Sequence, residues 1–375
     1  MNTLLLILIG FLLLVLVVFY WLQFRAQEES DVSEDRRVYP LLRGINFLLS
    51  EEPDRALQEM VKVARLNSEA VDVYMSLGEM FRKNGEIGRA VRIHQNILAR
   101  PDASEKVYIQ AQYALAKDFQ TGGLLDRALK HYQKVLDVDS AHIPALKAAL
   151  RIREISHEWL EAEALLSRIE RIQSDDECLH RSYLIAETAE LALNSSDLEQ
   201  AKKLAGEALN VNRTCIHAYD ILLRIAVLDQ DKETVQTFGK EIAERIGEFC
   251  AVFVPVLIND QFNCQDVLVG IWNNHHDEEL ALTMIEHVAV AHGADAAKHL
   301  KNDVLNYSTE NLRSLLRLAA VGISEDQSIK SAAKPWRLAM KRYTCGHCGV
   351  KVVDMRWQCP QCHEWGTMSF VRESS

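Results

Sequence analysis

Glycine and proline are scarce, at 16 and 7 in 375 residues. So few turn formers disfavour a β-sandwich and favour helices. Positive charge is also in short supply. Lys and Arg total 42 against 53 Asp and Glu, a formal net charge of −11, so the chain lacks the positive field of a nucleic-acid binder. Missing too are a nucleophile–base pair, a phosphate-binding glycine loop and an open metal site, so no enzyme is expected. Apolar residues at 48% and charged residues at 25% are ordinary for a folded chain. They exclude both a disordered tail and a polytopic membrane protein. The length suits roughly two to three domains.

Residues Leu4 to Leu22 form nineteen positions without a charge. A helix of that length spans about 28 Å, close to the thickness of bilayer hydrocarbon. A cleaved signal peptide would need basic residues ahead of a shorter core and a small-residue cleavage site. No Lys or Arg precedes this run, and Tyr20-Trp21-Leu22-Gln23-Phe24 offers nothing small. The run is therefore read as a retained single-pass anchor, with Tyr20 and Trp21 at headgroup depth. Arg25, Arg36 and Arg37 follow it, which places the remainder on the cytoplasmic side.

Beyond a linker at 25–36, one pattern recurs. Ala56, Ala90, Ala128, Ala162 and Ala201 are spaced by 34, 38, 34 and 39 residues, and Val235 follows 34 later. Twelve residues before each stands a small or apolar residue: Gly44, Gly78, Ala116, Leu150, Ala189 and Leu223. Such positions let two helices cross closely. The spacing predicts helix–turn–helix units starting near Arg37, Val71, Ile109, Ile143, Ser182 and Ile216, with a degenerate one from Glu278 that uses Ile285 and Ala297. The period and Tyr74-x-x-Leu77-Gly78-x-x-Phe81 resemble the tetratricopeptide repeat. The expected fold is all-α, with repeats over 37–330 and a separate module at 331–375.

Repeat arrays of this kind present a groove to other proteins rather than catalytic groups. The groove positions of the first helices include Met75, Glu79, Arg82, Tyr113, Lys117, Lys147, Arg151, Glu154, Glu190, Asp220 and Arg224. Arg82, Lys117, Lys147, Arg151 and Arg224 are the candidate groove contacts, and Lys147 and Arg151, four apart on one face, could grip an acidic partner. The acidic residues beside them make a solvated face an equal alternative. Cys178, Cys215, Cys250 and Cys264 have no metal spacing and read as small apolar fillers. His275-His276 reads as a polar loop.

The last segment is different. Cys345-Gly-His-Cys348 and Cys359-Pro-Gln-Cys362 are two C-x2-C pairs separated by ten residues. Each pair turns two thiolates toward one point, and two pairs complete a tetrahedron around one zinc or iron ion. Two disulfides would need an oxidising compartment, and a redox C-x-x-C would need a thioredoxin-like domain that is absent. Four cysteines fill the shell, so the metal reads as structural and His347 and His363 as bystanders. Lys341, Arg342, Lys351 and Arg356 are placed to offset the net negative charge of four thiolates on one divalent ion. Trp357 and Trp365 are expected to form a small core or to dock on the last helices.

The combination is similar to the lipopolysaccharide assembly protein B (LapB) family of Gram-negative bacteria. The residues carrying the likeness are Leu4–Leu22, the stretch Tyr39-Pro-Leu-Leu-Arg-Gly-Ile-Asn-Phe-Leu-Leu, and Tyr343-x-Cys345-x-x-Cys348-Gly349 with Trp357-x-Cys359-Pro360-x-Cys362-x-x-Trp365-Gly366. It implies an inner-membrane adaptor with a rubredoxin-like module. Its expected role is to present the lipid A deacetylase LpxC to the membrane protease FtsH. Other lipopolysaccharide synthesis or transport proteins are further possible partners. A membrane-tethered scaffold for envelope enzymes and a rubredoxin-like electron carrier are the competing functions. His363 stands where rubredoxins usually carry glycine.

Overall fold

Each repeat must bury an apolar stripe that a lone helix pair leaves half exposed, so the small residues decide how closely helices approach. The computed structural model describes residues 71–371 except 102, 175–176, 260–261, 264, 305–311 and 324–326, together with Arg43, Phe47, Arg55 and Glu59. The anchor at Leu4–Leu22, the linker and most of the first repeat, including Gly44 and Ala56, lie outside the described residues, as does Cys264. Among the described residues no helix is long and apolar enough to cross a membrane.

The chain forms two units, one ending at Ile152 and the other beginning at Arg153. The first holds α1 (Val71–Lys83), α2 (Ile87–Leu98), α3 (Glu105–Thr121) and α4 (Leu125–Val138). Helix α5 (Ile143–Ile155) carries the boundary. The second unit continues with α6 (Trp159–Gln173), α7 (Cys178–Asn194), α8 (Leu198–Val211), α9 (Ile216–Leu228) and α10 (Lys232–Arg245). The repeat residues behave as their spacing predicts. Ala90, Ala128, Ala162, Ala201, Val235 and Ala297 are fully buried, as are Ala116, Ala189, Leu223 and Ile285.

Two repeats begin earlier than their spacing suggests. Helices α3 and α7 are 17 residues long, whereas α1, α5 and α9 have 13. They start at Glu105 and Cys178, four residues before Ile109 and Ser182. The longer intervals of 38 and 39 residues thus reflect about one added turn, which leaves the inward face almost unrotated. The pattern survives because four residues nearly close a turn.

After α10 the repeat is interrupted. A short helix α11 (Cys250–Leu257) containing Pro255 runs into a hairpin of β1 (Ile258–Asn259) and β2 (Phe262–Asn263), then α12 (Gln265–Asn274). Helix α13 (Glu278–His292) and α14 (Ala294–Val304) stand where the degenerate repeat is expected, followed by α15 (Leu312–Ala320) and α16 (Gln327–Ala339). A three-stranded antiparallel sheet ends the chain, in the order β4 (Lys351–Val352), β3 (Tyr343–Cys345), β5 (Met368–Phe370). Cys215 and Cys250 are buried as apolar fillers, and Cys178 is half-buried. His276 packs on Trp272, with ring centroids 4.8 Å apart.

Two buried charge clusters pin helices. In the first unit the fully buried His94 on α2 places Nδ1 2.5 Å from Asp118 Oδ2, and Asp118 Oδ1 accepts from Arg82 at 3.1 Å. In the second unit fully buried Arg317 on α15 donates to Glu286 at 2.8 and 3.1 Å and to Glu279 at 2.8 Å, both on α13. Arg342 reaches Glu279 at 3.3 Å and Thr283 at 2.9 Å. Burial works against the Glu286 carboxylate, but Arg317, Arg342 and Arg337 outweigh it and hold its pKa below the usual range. Arg342 is thereby committed to α13 rather than to the thiolates.

Gly78 tests the close-crossing argument. A Cβ added there would lie 2.4 Å from His94 Nε2, within a side chain that Asp118 holds in place. Gly78→Ala is expected to lower unfolding free energy by about 1–3 kcal/mol in a denaturant titration. Gly206→Ala, on α8 where an added Cβ meets nothing within 4 Å, is expected to raise it by about 0.4–1 kcal/mol.

Candidate metal centre and its docking face

The four cysteines converge. The first pair sits on the turn leaving β3, where the Cys345 N–H donates to the Val350 carbonyl at 2.9 Å and the Gly349 N–H to the Cys345 carbonyl at 2.9 Å. The second pair repeats this: the Cys359 N–H donates to the Glu364 carbonyl at 2.9 Å and the His363 N–H to the Cys359 carbonyl at 3.0 Å. Gly349 has φ +75° and His363, the equivalent residue, φ +63°. His363 therefore takes a left-handed turn that favours glycine. It is a turn residue as well as a neighbour of a ligand.

The sulfur atoms of Cys345, Cys348, Cys359 and Cys362 all lie within 4.8 Å of one another. Cys345–Cys362 and Cys348–Cys359 are 3.7 and 3.6 Å apart. A tetrahedron with metal–sulfur bonds of about 2.3 Å has sulfurs roughly 3.8 Å apart, so the cage fits one zinc or iron ion. The sulfurs are also too far apart for a disulfide bond, whose length is about 2.05 Å.

The four thiols do not ionise alike. Burial disfavours the Cys345 thiolate, but the Thr367 hydroxyl and the Cys348 and His347 N–H groups prevail and bring its pKa down to about 6. For Cys362 the Glu364 N–H favours the thiolate, yet burial and the three neighbouring sulfurs push it up to about 12. One thiol ionises readily and another resists, because like charges crowd a single point. A bound divalent cation removes that conflict and lets all four act as ligands.

The module docks on repeats far away in sequence. The Trp365 indole N–H donates to Glu154 Oε1 at 3.0 Å, and His180 Nε2 lies 2.6 Å from the same oxygen. Gln358 donates to Glu154 Oε2 at 3.4 Å. The Trp365 ring stacks on Tyr183 and His180 with centroids 5.8 and 6.0 Å away, and meets Trp159 edge-on at 6.0 Å. Gly366 has φ +63°, and a Cβ there would come within 2.9 Å of Tyr183. Trp357 stacks on buried His217 at 4.8 Å and 15°.

The two tryptophans thus seat on α5, α6, α7 and α9 rather than on the last helices. Tyr343, Cys345, Cys359, Met368 and Phe370 also join the core formed by Phe253, Val254, Leu257 and Met284. Trp159, His180, Tyr183 and His217 carried no signal in the sequence beyond lying on the predicted repeats.

The groove candidates fall into distinct settings. Arg82 is buried and paired with Asp118. Arg224 donates to Glu190 at 3.0 and 2.8 Å and to Asp220 at 3.4 Å. The His217 ring and Arg224 hold the Glu190 carboxyl below its ordinary pKa, whereas burial pushes Asp220 up. Lys117 lies over the Tyr113 ring at 5.7 Å. Together with Met75, Glu79 and Arg82, these two line a cavity of 330 Å³ in the first unit. Lys147 is exposed and Arg151 half-buried. Glu154 is taken up by the module.

Residues 343–369 match a family described as the rubredoxin metal binding domain. The chain is similar to lipopolysaccharide assembly protein B of Escherichia coli K12, 24% identical over 371 residues covering 92% of this chain and 93% of that protein. The protein of the same name from Haemophilus influenzae is 24% identical over 386 residues, covering 96% and 97%. The tetratricopeptide-repeat protein YrrB aligns with 52% of this chain and 94% of its own at 14% identity and a TM-score of 0.35. That overlay is loose, and the helix pairs themselves define the fold.

Metal binding and docking separate by mutation. Cys359→Ser is expected to lose the metal, measured as ions per chain by mass spectrometry, and to open residues 343–370 to protease. Trp365→Phe is expected to retain the metal but to leave Glu154 without its indole donor. The cost of a lost hydrogen bond to a charged group, about 1.5–3 kcal/mol, should appear in thermal or chemical unfolding.

Proposed function

We propose that this protein is an inner-membrane adaptor that restrains lipopolysaccharide synthesis by delivering the deacetylase LpxC to the protease FtsH. The observation that carries the reading is the likeness to the assembly proteins over more than nine-tenths of both chains, joined to a four-cysteine module seated on helical repeats. Repeat arrays hold partners without chemistry of their own. An anchor at Leu4–Leu22 confines encounters to the membrane surface and raises effective concentration without new contacts.

The geometry supports a division of labour. In the second unit the module occupies first-helix faces that a repeat array would otherwise offer to a partner, at Glu154, Tyr183 and His217. The first unit retains its cavity, with Lys117 and Tyr113 facing it, and this is the favoured place for the client or the protease. The metal is then a structural zinc or iron ion that fixes the module, and through Trp357 and Trp365 the helices beneath it.

The test is the lifetime of the deacetylase after protein synthesis is blocked, followed in cells depleted of this protein. A markedly longer half-life is expected, with no further effect once the protease is also absent. A chain lacking residues 1–24 should fail to restore turnover although its repeats fold. An unchanged half-life would discard the adaptor reading in favour of a scaffold that gathers envelope enzymes. Redox-active iron with a visible charge-transfer band would then favour an electron carrier.

A further inference from the structure

Helices α15 and α16 sort their side chains in an unusual way. Between them pack Ala319, Ala320, Ala333 and Leu316, and Arg317 locks α15 to α13. Yet three leucines face outward: Leu312 is 70% exposed, Leu315 52% and Leu338 77%. Ser314 and Arg342 both reach the start of α13, at Glu278 and Glu279, whereas Arg317 and Arg337 both reach Glu286 farther along it, so the two helices run antiparallel. That order brings Leu312 and Leu315 toward the Leu338 end.

The cations are sorted as well. From Gln327 to Val353 there are twenty-seven residues without an acid, in a chain whose formal charge is −11. Six of them are basic: Lys330, Lys334, Arg337, Lys341, Arg342 and Lys351. The arginines turn inward, Arg337 to Glu286 at 3.5 Å and Arg342 to Glu279 at 3.3 Å. Lys330, Lys334 and Lys341 have no carboxylate within ion-pair distance among the described residues. Exposed leucines among lysines that meet no carboxylate of the described residues, with a half-buried Trp336 alongside, are the composition of a helix lying in a membrane interface.

A protein partner would be expected to use arginine and aromatic anchors seated in a pocket. Here the exposed side chains of the two helices include leucines and Lys334, and the arginines Arg337 and Arg342 are paired inward with α13. Lysine is a flexible point charge whose stem can cover apolar surface while its head stays in water, which suits headgroup phosphates without a fixed geometry.

We propose that the α15–α16 hairpin rests on an anionic bilayer surface, with Leu312, Leu315 and Leu338 entering the headgroup layer and Lys330, Lys334 and Lys341 meeting lipid phosphates. This rests on the reading of Leu4–Leu22 as an anchor, which keeps the hairpin near a bilayer. It goes beyond that reading by assigning a second, charge-dependent contact. The contact would limit how the tethered protein can orient at the membrane.

The full chain, reconstituted in nanodiscs of phosphatidylcholine alone or with phosphatidylglycerol added, provides the test. Amide hydrogen exchange across 312–320 and 327–341 should slow by roughly fivefold or more only in the anionic discs, about the factor expected of one lysine at a charged surface. The slowing should vanish in high salt. It should also vanish in the Lys330→Gln, Lys334→Gln, Lys341→Gln triple variant and in Leu338→Ser, both checked for full metal content. Equal exchange in the two disc types overturns the proposal. Protection that arises only in native membranes with their proteins assigns the surface to an acidic protein and overturns it too. Co-elution with neutral discs reads the anchor independently, and a chain that leaves them overturns the anchor and the premise of this inference.

Discussion

Four sulfurs within 4.8 Å of one another cannot all carry charge unless a cation sits among them, and the end of the chain depends on that constraint. The sheet it closes has strands of two or three residues, too little to hold a core alone. A bound metal would therefore supply folding free energy to a module of this size. Once closed, the turns present Trp357 and Trp365 in fixed directions. The Trp365 indole reaches Glu154 across 211 positions of sequence, so a local metal site holds a long-range contact in place.

Close helix crossing is the second constraint. The fully buried alanines at 90, 128, 162 and 201 have no side chain beyond Cβ, which lets neighbouring helices approach and bury the larger residues around them. Tolerance of insertion follows from the same geometry. An extra turn at the start of α3 or α7 lengthens a helix beyond the crossing and leaves the crossing itself unchanged. An insertion of two residues would have turned the apolar stripe away from its partner helix.

Charge inside the protein does positional work. Arg82 with Asp118 and Arg317 with Glu286 are buried pairs, and such pairs add little net stability but penalise any packing that separates them. They also change what the groove can offer. Arg82 and Arg224 look like free cations in the sequence, yet each is bonded to carboxylates of its own unit. Lys117 lies over the Tyr113 ring and lines the cavity of the first unit.

The sequence by itself determined the helix pairs and the four-cysteine cluster, because both are written in short-range spacing. A period near 34 residues marks the crossings, and two C-x2-C pairs mark a tetrahedral site, whatever else the chain does. The docking face was decided only by tertiary structure. Glu154, His180, Tyr183 and His217 gain their meaning from residues about 140 to 210 positions later, and no local pattern records so distant a partner. The same holds for Arg224 and Arg342, whose charges are visible in sequence while their bonding is not. Spacing fixes which residues share one turn or one helix face; the packing of helix on helix decides which face meets solvent, which charge is neutralised and where the metal module comes to rest.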